Sequence, residues 1–276
     1  MAAHPMKIPF TKAHGARNDF LLTWAGEAPA EAELAEAAVA ICDRHAGVGA
    51  DGWLIVHPPE AGRAARIRLF NPDGGEVEMS GNGTRCAAAV LAVAGFADGE
   101  MTIETGAGAR RLWLLERNGP RFLFEMDMGA AEIAPGNLRH MLPLAGGARE
   151  CSIVWVGNPQ CVFFTGDFEF NWRTLGAEVE RHPRFPNRTN ASFVKVVDRH
   201  TVEARFFERG AGFTMSSGTG SAGAVAAALA RGLVESPVAV NTLAGPLHFR
   251  EEGGALRMQG PAEIVARGEF FYGERE

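Results

Sequence analysis

Residues 66–96, RIRLFNPDGGEVEMSGNGTRCAAAVLAVAGF, lie over residues 203–233, EARFFERGAGFTMSSGTGSAGAVAAALARGL, at one ungapped offset of 137 (217 − 80). The alignment pairs Arg68 with Arg205, Phe70 with Phe207, Ser80 with Ser217, Gly83 with Gly220 and Gly95 with Gly232. Two Ala- and Gly-rich segments can resemble each other by composition alone, so the flanks decide the matter. Thr105 and Gly108 meet Thr242 and Gly245, and Asp43, Arg44 and His45 meet Glu180, Arg181 and His182, all at the same offset. A register kept through several elements predicts an internal duplication.

Each copy reads as a short alternating strand (Ile67 to Phe70; Val202 to Phe207), a glycine-rich loop and an Ala-rich helix (Arg85 to Ala94; Ala222 to Ala230). In the first copy Met101 to Glu104, Arg110 to Leu115 and Arg121 to Glu125 follow as successive antiparallel strands. A helix made almost wholly of Ala, Val and Leu is apolar on most sides, so it belongs inside the sheet that follows it. The expected fold is α+β, with two pseudo-symmetric lobes, each an antiparallel sheet wrapped around a central helix. A further helix is expected from Ala30 to Cys42. The turn-prone stretch Gly129 to Gly147 sets the expected boundary. The N-terminal lobe is then residues 1–128, completed by 264–276, and the C-terminal lobe is 129–263.

The chain has 276 residues, 46% hydrophobic and 22% charged, which suits a globular protein with a substantial core. A net charge of −6 offers no basic stripe to a phosphate backbone, so nucleic acid is not an expected partner. No apolar run approaches the roughly 18 residues needed to span a bilayer, and residues 1–10 lack the apolar stretch of a secretion signal. No membrane association and a cytoplasmic location are expected. The cysteines Cys42, Cys86, Cys151 and Cys161 form no CxxC pair and read as free thiols. The eight histidines show no HExxH spacing, so no metal is expected. Only Lys7, Lys12 and Lys195 could form a Schiff base, and no GxxxxGK[ST] loop is present.

The loops Ser80-Gly81-Asn82-Gly83-Thr84 and Ser217-Gly218-Thr219-Gly220-Ser221 each stand where the chain enters a helix. Backbone N–H groups and the helix dipole there favour an anion such as a carboxylate. The second loop also spells GxGxxG (Gly218, Gly220, Gly223), but the segments downstream read as antiparallel and the first copy breaks the pattern at Cys86, which argues against a dinucleotide fold. For one loop alone, glycines that let a helix pack against a sheet are a sufficient account. Two copies allow more: one loop from each lobe on a shared substrate would place one group on each face of an α-carbon, with helix starts stabilising the charge that deprotonation creates.

The remaining motifs bear this out as a resemblance. His14-Gly15-Ala16-Arg17-Asn18-Asp19-Phe20, the run Cys42 to Gly52 (CDRHAGVGADG), Phe70-Asn71-Pro72-Asp73-Gly74, Gly157-Asn158-Pro159, His182 to Asn190 (HPRFPNRTN) and Glu208-Arg209-Gly210-Ala211-Gly212 occur in this order. Together they resemble the diaminopimelate epimerase family over nearly the whole chain. The resemblance implies a cofactor-free isomerase of the amino acid epimerase and racemase class, in lysine biosynthesis, acting on a small-molecule amino acid, with a homodimer as the expected assembly. It implies substrate contacts at Asn18, Asn71, Gly81, Asn82, Asn158, Asn190, Arg209, Gly218 and Thr219, with Arg209 gripping a distal carboxylate. The catalytic candidates it implies are Ser80, Ser217, Glu208 and Gln160.

The departures fall on the chemistry. The family's loops read CGNGxRC and ACGTG, with the first cysteine of each acting as acid or base, and here those positions are Ser80 and Ser217. Cys86 matches the other cysteine. The family's NPH is Asn158-Pro159-Gln160, a family Glu is replaced by Phe213, and a family glycine by Arg17. A thiol titrates near ~8.5 and lower at a helix start, whereas a hydroxyl needs a neighbouring base, for which Glu208 is the candidate. Three expectations follow: epimerisation of diaminopimelate or an analogue; elimination or tautomerisation of a related substrate; or amino acid binding without catalysis.

Overall fold

The computed structural model describes residues 6–60, 64–96 and 99–273. The outermost parts of the expected N-terminal lobe, residues 1–5 and 274–276, lie outside the described residues, as does the first half of the stretch read for a leader. The chain divides into two compact units, Met1–Phe124 with Pro261–Glu276, and Glu125–Gly260. The division falls within a strand rather than in the turn-prone stretch from Gly129.

The first unit contains β1 (Met6–Gly15), β2 (Asn18–Trp24), α1 (Leu34–Cys42), β3 (Gly52–His57), β4 (Ala65–Phe70), β5 (Glu76–Val77), α2 (Gly81–Val93), β6 (Glu100–Thr105) and β7 (Gly108–Asn118). Strand β8 (Arg121–Ala130) contains the division. The second unit contains β9 (His140–Leu142), β10 (Arg149–Trp155), β11 (Pro159–Phe164), α3 (Trp172–Glu180), β12 (Asn190–Asp198), β13 (Thr201–Glu208), β14 (Gly212–Thr214), α4 (Gly218–Ala230), β15 (Val238–Thr242) and β16 (Gly245–Glu252). Strand β17 (Ala255–Tyr272) begins in the second unit and ends in the first.

The duplication is visible in the strand pairing. In the first unit β1–β2 is antiparallel, β2–β3 parallel, β3–β4 antiparallel, β4–β6 parallel and β6–β7 antiparallel. In the second, β10–β11, β11–β12, β12–β13, β13–β15 and β15–β16 repeat that alternation. Both bounds of α4 lie 137 residues beyond those of α2. The segments downstream of each loop are antiparallel as read, β6 with β7 and β15 with β16, whereas the strand before each loop pairs parallel with the first one after it, β4 with β6 and β13 with β15. Each glycine loop sits in a strand–helix–strand crossover, and a crossover returns the chain parallel to the strand it left. Strand direction therefore gives no argument against a dinucleotide fold.

Every residue of α2 from Gly81 to Ala92 is buried, and so is every residue of α4 from Gly218 to Ala228. Ala and Gly make both helices slender enough to be enclosed, and each buried Val or Leu among them contributes about 1.5–3 kcal/mol. The opposite face of each sheet is covered by a second helix. Ala37, Ala38 and Ile41 of α1 pack with Leu21, Trp53, Ile55 and Phe70. Trp172 and Val179 of α3 pack with Phe163, Ala191 and Phe193. Helix α1 takes up most of the stretch from Ala30, after a single 3-10 turn at Glu31–Glu33. Its counterpart α3 is not legible in the sequence, because bulky residues, Gly176 and three charges blur its apolar stripe. Among the described residues no helix is long and apolar enough to cross a membrane.

Candidate active site

Ser80 and Ser217 are the N-caps of α2 and α4. Their backbones are extended (φ −126°, ψ 123° and φ −134°, ψ 121°), and each Oγ accepts a hydrogen bond from the glycine three residues on, Gly83 N at 3.1 Å and Gly220 N at 3.0 Å. The helices thus start inside the glycine loops, four residues earlier than composition suggested, because a serine cap satisfies an N–H of the first turn. The remaining first-turn amides keep the partial positive charge of a helix start. Each cap uses a lone pair and leaves the hydroxyl its proton. Among the described residues no carboxylate or imidazole is hydrogen-bonded to either hydroxyl. Glu208 accepts from Thr214 Oγ1 at 2.5 Å and does not bond Ser217.

In the first unit Asn82, wholly buried, donates from Nδ2 to Asn18 Oδ1 at 3.1 Å. Asn18 donates from Nδ2 to Asp51 Oδ2 at 2.7 Å. At the other end Arg85, also wholly buried, donates to Asn82 Oδ1 at 2.6 Å, to Gly81 O at 3.1 Å and to Pro261 O at 3.1 Å. Arg44 donates to Asp51 Oδ1 at 2.7 Å and to Asp19 Oδ1 at 2.8 Å, and Lys12 stands 3.0 Å from Asp19. Burial, and then the neighbouring Asp19 charge, push the Asp51 carboxyl up. Burial also opposes ionisation of Asp19, but the bonds from Arg44 and Lys12 outweigh it and hold that carboxyl below its ordinary value. Burial lowers Arg85 to about 10 and lifts the Cys86 thiol to about 12, so Cys86 is inert as a base at neutral pH.

In the second unit Asn158 donates from Nδ2 to Thr219 Oγ1 at 3.2 Å, and Gln160 donates from Nε2 to Asn158 Oδ1 at 2.6 Å. Gln160 is wholly buried, and its Oε1 has no hydrogen-bond partner. Asn190 accepts from the Arg209 backbone N–H at 2.8 Å and donates to Pro159 O at 3.2 Å. Glu180, also buried, accepts from Gly210 N at 3.0 Å and so pins the turn that carries Arg209. Asn71 closes a turn through its backbone, Asn71 N to Gly75 O and Gly74 N to Asn71 O, both 2.9 Å. Phe213 packs edge-on against Trp172 at 5.5 Å and under the Arg173 guanidinium at 4.6 Å.

The sequence-predicted residues thus fall into two local groups. Asn18, Gly81 and Asn82 join Ser80 in the first unit, and Asn158, Gln160, Gly218 and Thr219 join Ser217 in the second, where Asn190 and Arg209 form a neighbouring pair. Sequence reasoning missed Asp51, Arg85, Arg44 and Glu180. All four lie in or beside the quoted motifs, but nothing in a one-dimensional pattern shows that Asp51 reaches Asn18. Among the described residues no group of three or more His, Cys, Asp or Glu is arranged to hold a metal.

Comparison with known proteins identifies a family and a fold. The sequence model described as diaminopimelate epimerase matches residues 10–134 and 152–265. The chain is 40% identical to a diaminopimelate epimerase of Burkholderia ambifaria over 290 residues, covering 96% of this chain and 99% of that one. It is also 40% identical to one of Azoarcus sp. strain BH72 over 279 residues, with coverage of 96% and 99%. Among solved structures, a hydroxyproline epimerase of Agrobacterium vitis superposes with a TM-score of 0.73 at 15% identity, over 96% of this chain and 92% of that one, which is a likeness of fold.

Proposed function

The chain belongs to the diaminopimelate epimerase family, and from that premise we propose that it is a PLP-independent isomerase acting at the α-carbon of diaminopimelate or a close amino acid analogue. One observation carries the reading. Both units start a buried helix with a serine-capped glycine loop, and in both the residue two beyond the serine is hydrogen-bonded to an asparagine that begins or borders a strand. A single anion-holding loop has many uses, but a duplicated pair suits a tetrahedral centre that must be approached from two faces. Helix-start amides at Gly81-Asn82 and Gly218-Thr219 hold the carboxylate and spread the charge left by proton removal. Asn18, Asn71, Asn158 and Asn190 hold the head group and Arg209 the distal carboxylate. Ser80, Ser217, Glu208 and Gln160 are the proposed catalytic groups. The reaction needs no cofactor, and the enzyme works in the cytoplasm as a homodimer.

A second reading has its own observation. Each hydroxyl is committed to its cap and lacks a bonded base, which disfavours removal of a weakly acidic α-proton. Elimination or tautomerisation of a substrate with a more acidic C–H asks less of the same residues, and binding without catalysis asks least. Incubation with LL-diaminopimelate in heavy water, followed by NMR at the α-position, separates these. The expected result is slow α-deuteration with appearance of the meso isomer. Calorimetric binding without deuteration favours the second reading, and absence of both overturns the substrate class.

A further inference from the structure

We propose that Asp51 and Arg85 are positioning residues that fix the direction of the hydrogen-bonded chain Arg85–Asn82–Asn18–Asp51, so that Asn18 offers an N–H to a carboxylate of the substrate. The argument is one of donor and acceptor inventory. An asparagine amide can turn over, exchanging its donor and acceptor ends, and two amides bonded only to each other have no preferred direction. Here both ends are fixed. Arg85 has donors only, so Asn82 must present Oδ1 to it, at 2.6 Å. That turns Asn82 Nδ2 toward Asn18 Oδ1, at 3.1 Å. Asn18 must then present Nδ2 to Asp51, at 2.7 Å.

Asp51 is suited to the receiving end because each hydrogen-bond partner of its carboxylate is a donor. Oδ2 takes Asn18 Nδ2 and the Asp19 backbone N–H at 3.1 Å, while Oδ1 takes Arg44 Nη2 at 2.7 Å. None of these three partners can accept from a protonated carboxyl, so an ionised group closes the chain best. Asn18 is 5% exposed, and its Oδ1 and one of its two amide hydrogens are used within the chain. The other hydrogen is what it can give a ligand. A carboxylate oxygen finds a donor in that N–H.

This rests on the proposed amino acid substrate for its ligand, but the chain itself is testable without one. The charged and titratable groups facing Asp51 are Arg44, Asp19 with its partner Lys12, and the Cys42 thiol; His14 stands across from Asp19 on β1, and Arg85 and Cys86 lie at the far end. With asparagine side chains labelled in ¹⁵N, NMR of the full-length protein should show the Asn18 amide moving through a single step as Asp51 is protonated. The midpoint should lie above the ordinary aspartate value of ~3.9. In Asp51→Asn the step should vanish. Arg85→Lys, which keeps a donor-only cation, should leave the Asn18 and Asn82 signals near their original positions, whereas Arg85→Met should split or shift both. An Asn18 amide indifferent to pH, or one that still titrates in Asp51→Asn, overturns the proposal, and those two measurements decide it even if Arg85→Met does not fold. With LL-diaminopimelate added, Asp51→Asn should weaken calorimetric binding about tenfold. Unchanged affinity in that variant counts against the ligand half of the proposal. Failure of the unaltered protein to bind at all is instead a failure of the functional reading, and the amide titration stands apart from it.

Discussion

The starts of α2 and α4 share one backbone and have two different surroundings. Their caps agree within about ten degrees in φ and ψ, and their bounds keep the offset of 137 residues. Beneath α2 stand Phe20, Leu54 and Leu69, whereas the corresponding positions beneath α4 are Gln160, Ser192 and Phe206. The polar chain of the first unit ends in ions, Arg85 on one side and Asp51 with Arg44 on the other. That of the second ends in a neutral amide whose Oε1 lacks a partner. The cap persisted in both copies because first-turn N–H groups must be satisfied whatever packs around them. The surroundings were free to diverge, and they did so in a direction that sets the first loop electrostatically and leaves the second neutral.

The largest effect should come from restoring thiols at both caps. Ser80→Cys with Ser217→Cys places an acid near ~8.5, lowered by the helix start, where a hydroxyl now stands. General acid–base catalysis contributes roughly 10²–10⁴-fold, so α-proton exchange with LL-diaminopimelate should rise by at least about 10²-fold, read by NMR in heavy water. The new thiol at position 80, which is partly exposed, should also be alkylated at neutral pH, whereas Cys42 and Cys86, both pushed up to about 12 by burial, should stay unmodified until the protein unfolds. An unchanged exchange rate with that thiol reactive would mean that the frame, and not the hydroxyls, limits the chemistry.

The glycines three residues beyond each cap, Gly83 and Gly220, test the difference in surroundings directly. A Cβ at Gly220 would stand 2.7 Å from Phe206 Cδ1 and 2.8 Å from the Ser217 hydroxyl, whereas one at Gly83 meets Leu54, Ser80 and Phe20 at 3.3–3.4 Å. Gly220→Ala must displace an aromatic ring or the cap, at a cost of about 1–3 kcal/mol in urea unfolding. Gly83→Ala asks its neighbours for a few tenths of an ångström and gains about 0.5–1 kcal/mol of helix propensity, so it should be near neutral. Equal losses would show that the two starts are packed alike.

Much of this asymmetry was not legible in the sequence. The repeat, the central helices and the two serines were, because a shared register survives in one dimension and Ala-rich runs declare a buried helix. The cap function of Ser80 and Ser217 was half visible. The loops were placed before the helices, while the structure places them within the first turn, a distinction that rests on backbone angles. The partners were not visible at all. Asp51 lies 33 residues from Asn18, and their contact depends on β2 and β3 running parallel, the pairing that segment reading missed. The equivalence of Gln160 with Phe20 was hidden because it does not follow the offset of 137, and only strand register reveals it. Gln160 was noticed as a missing histidine, yet its burial and its orphaned oxygen come from the sheet it sits on.

The smallest effect concerns the turns that aim the two asparagines. Asn18 follows the tight β1–β2 turn, in which Ala16 and Arg17 both have positive φ, 50° and 61°. Asn158 follows the β10–β11 turn, where the positive φ of 85° falls on Gly157. A side chain with a Cβ pays roughly 1–2 kcal/mol to sit in the left-handed region, and glycine does not. Arg17 is exposed, so nothing packed against it offsets that cost. Arg17→Gly should therefore raise the urea midpoint by the equivalent of about 0.5–1 kcal/mol, the gain being trimmed by glycine's greater freedom in the unfolded chain. Gly157→Ala should lower it by about 1 kcal/mol. The two changes have opposite signs because the same backbone requirement is met in one copy and strained in the other. A stabilised Arg17→Gly that also binds diaminopimelate less tightly would mean that the strain at the tip helps to aim Asn18, whereas unchanged affinity would leave it as a tolerated cost of divergence.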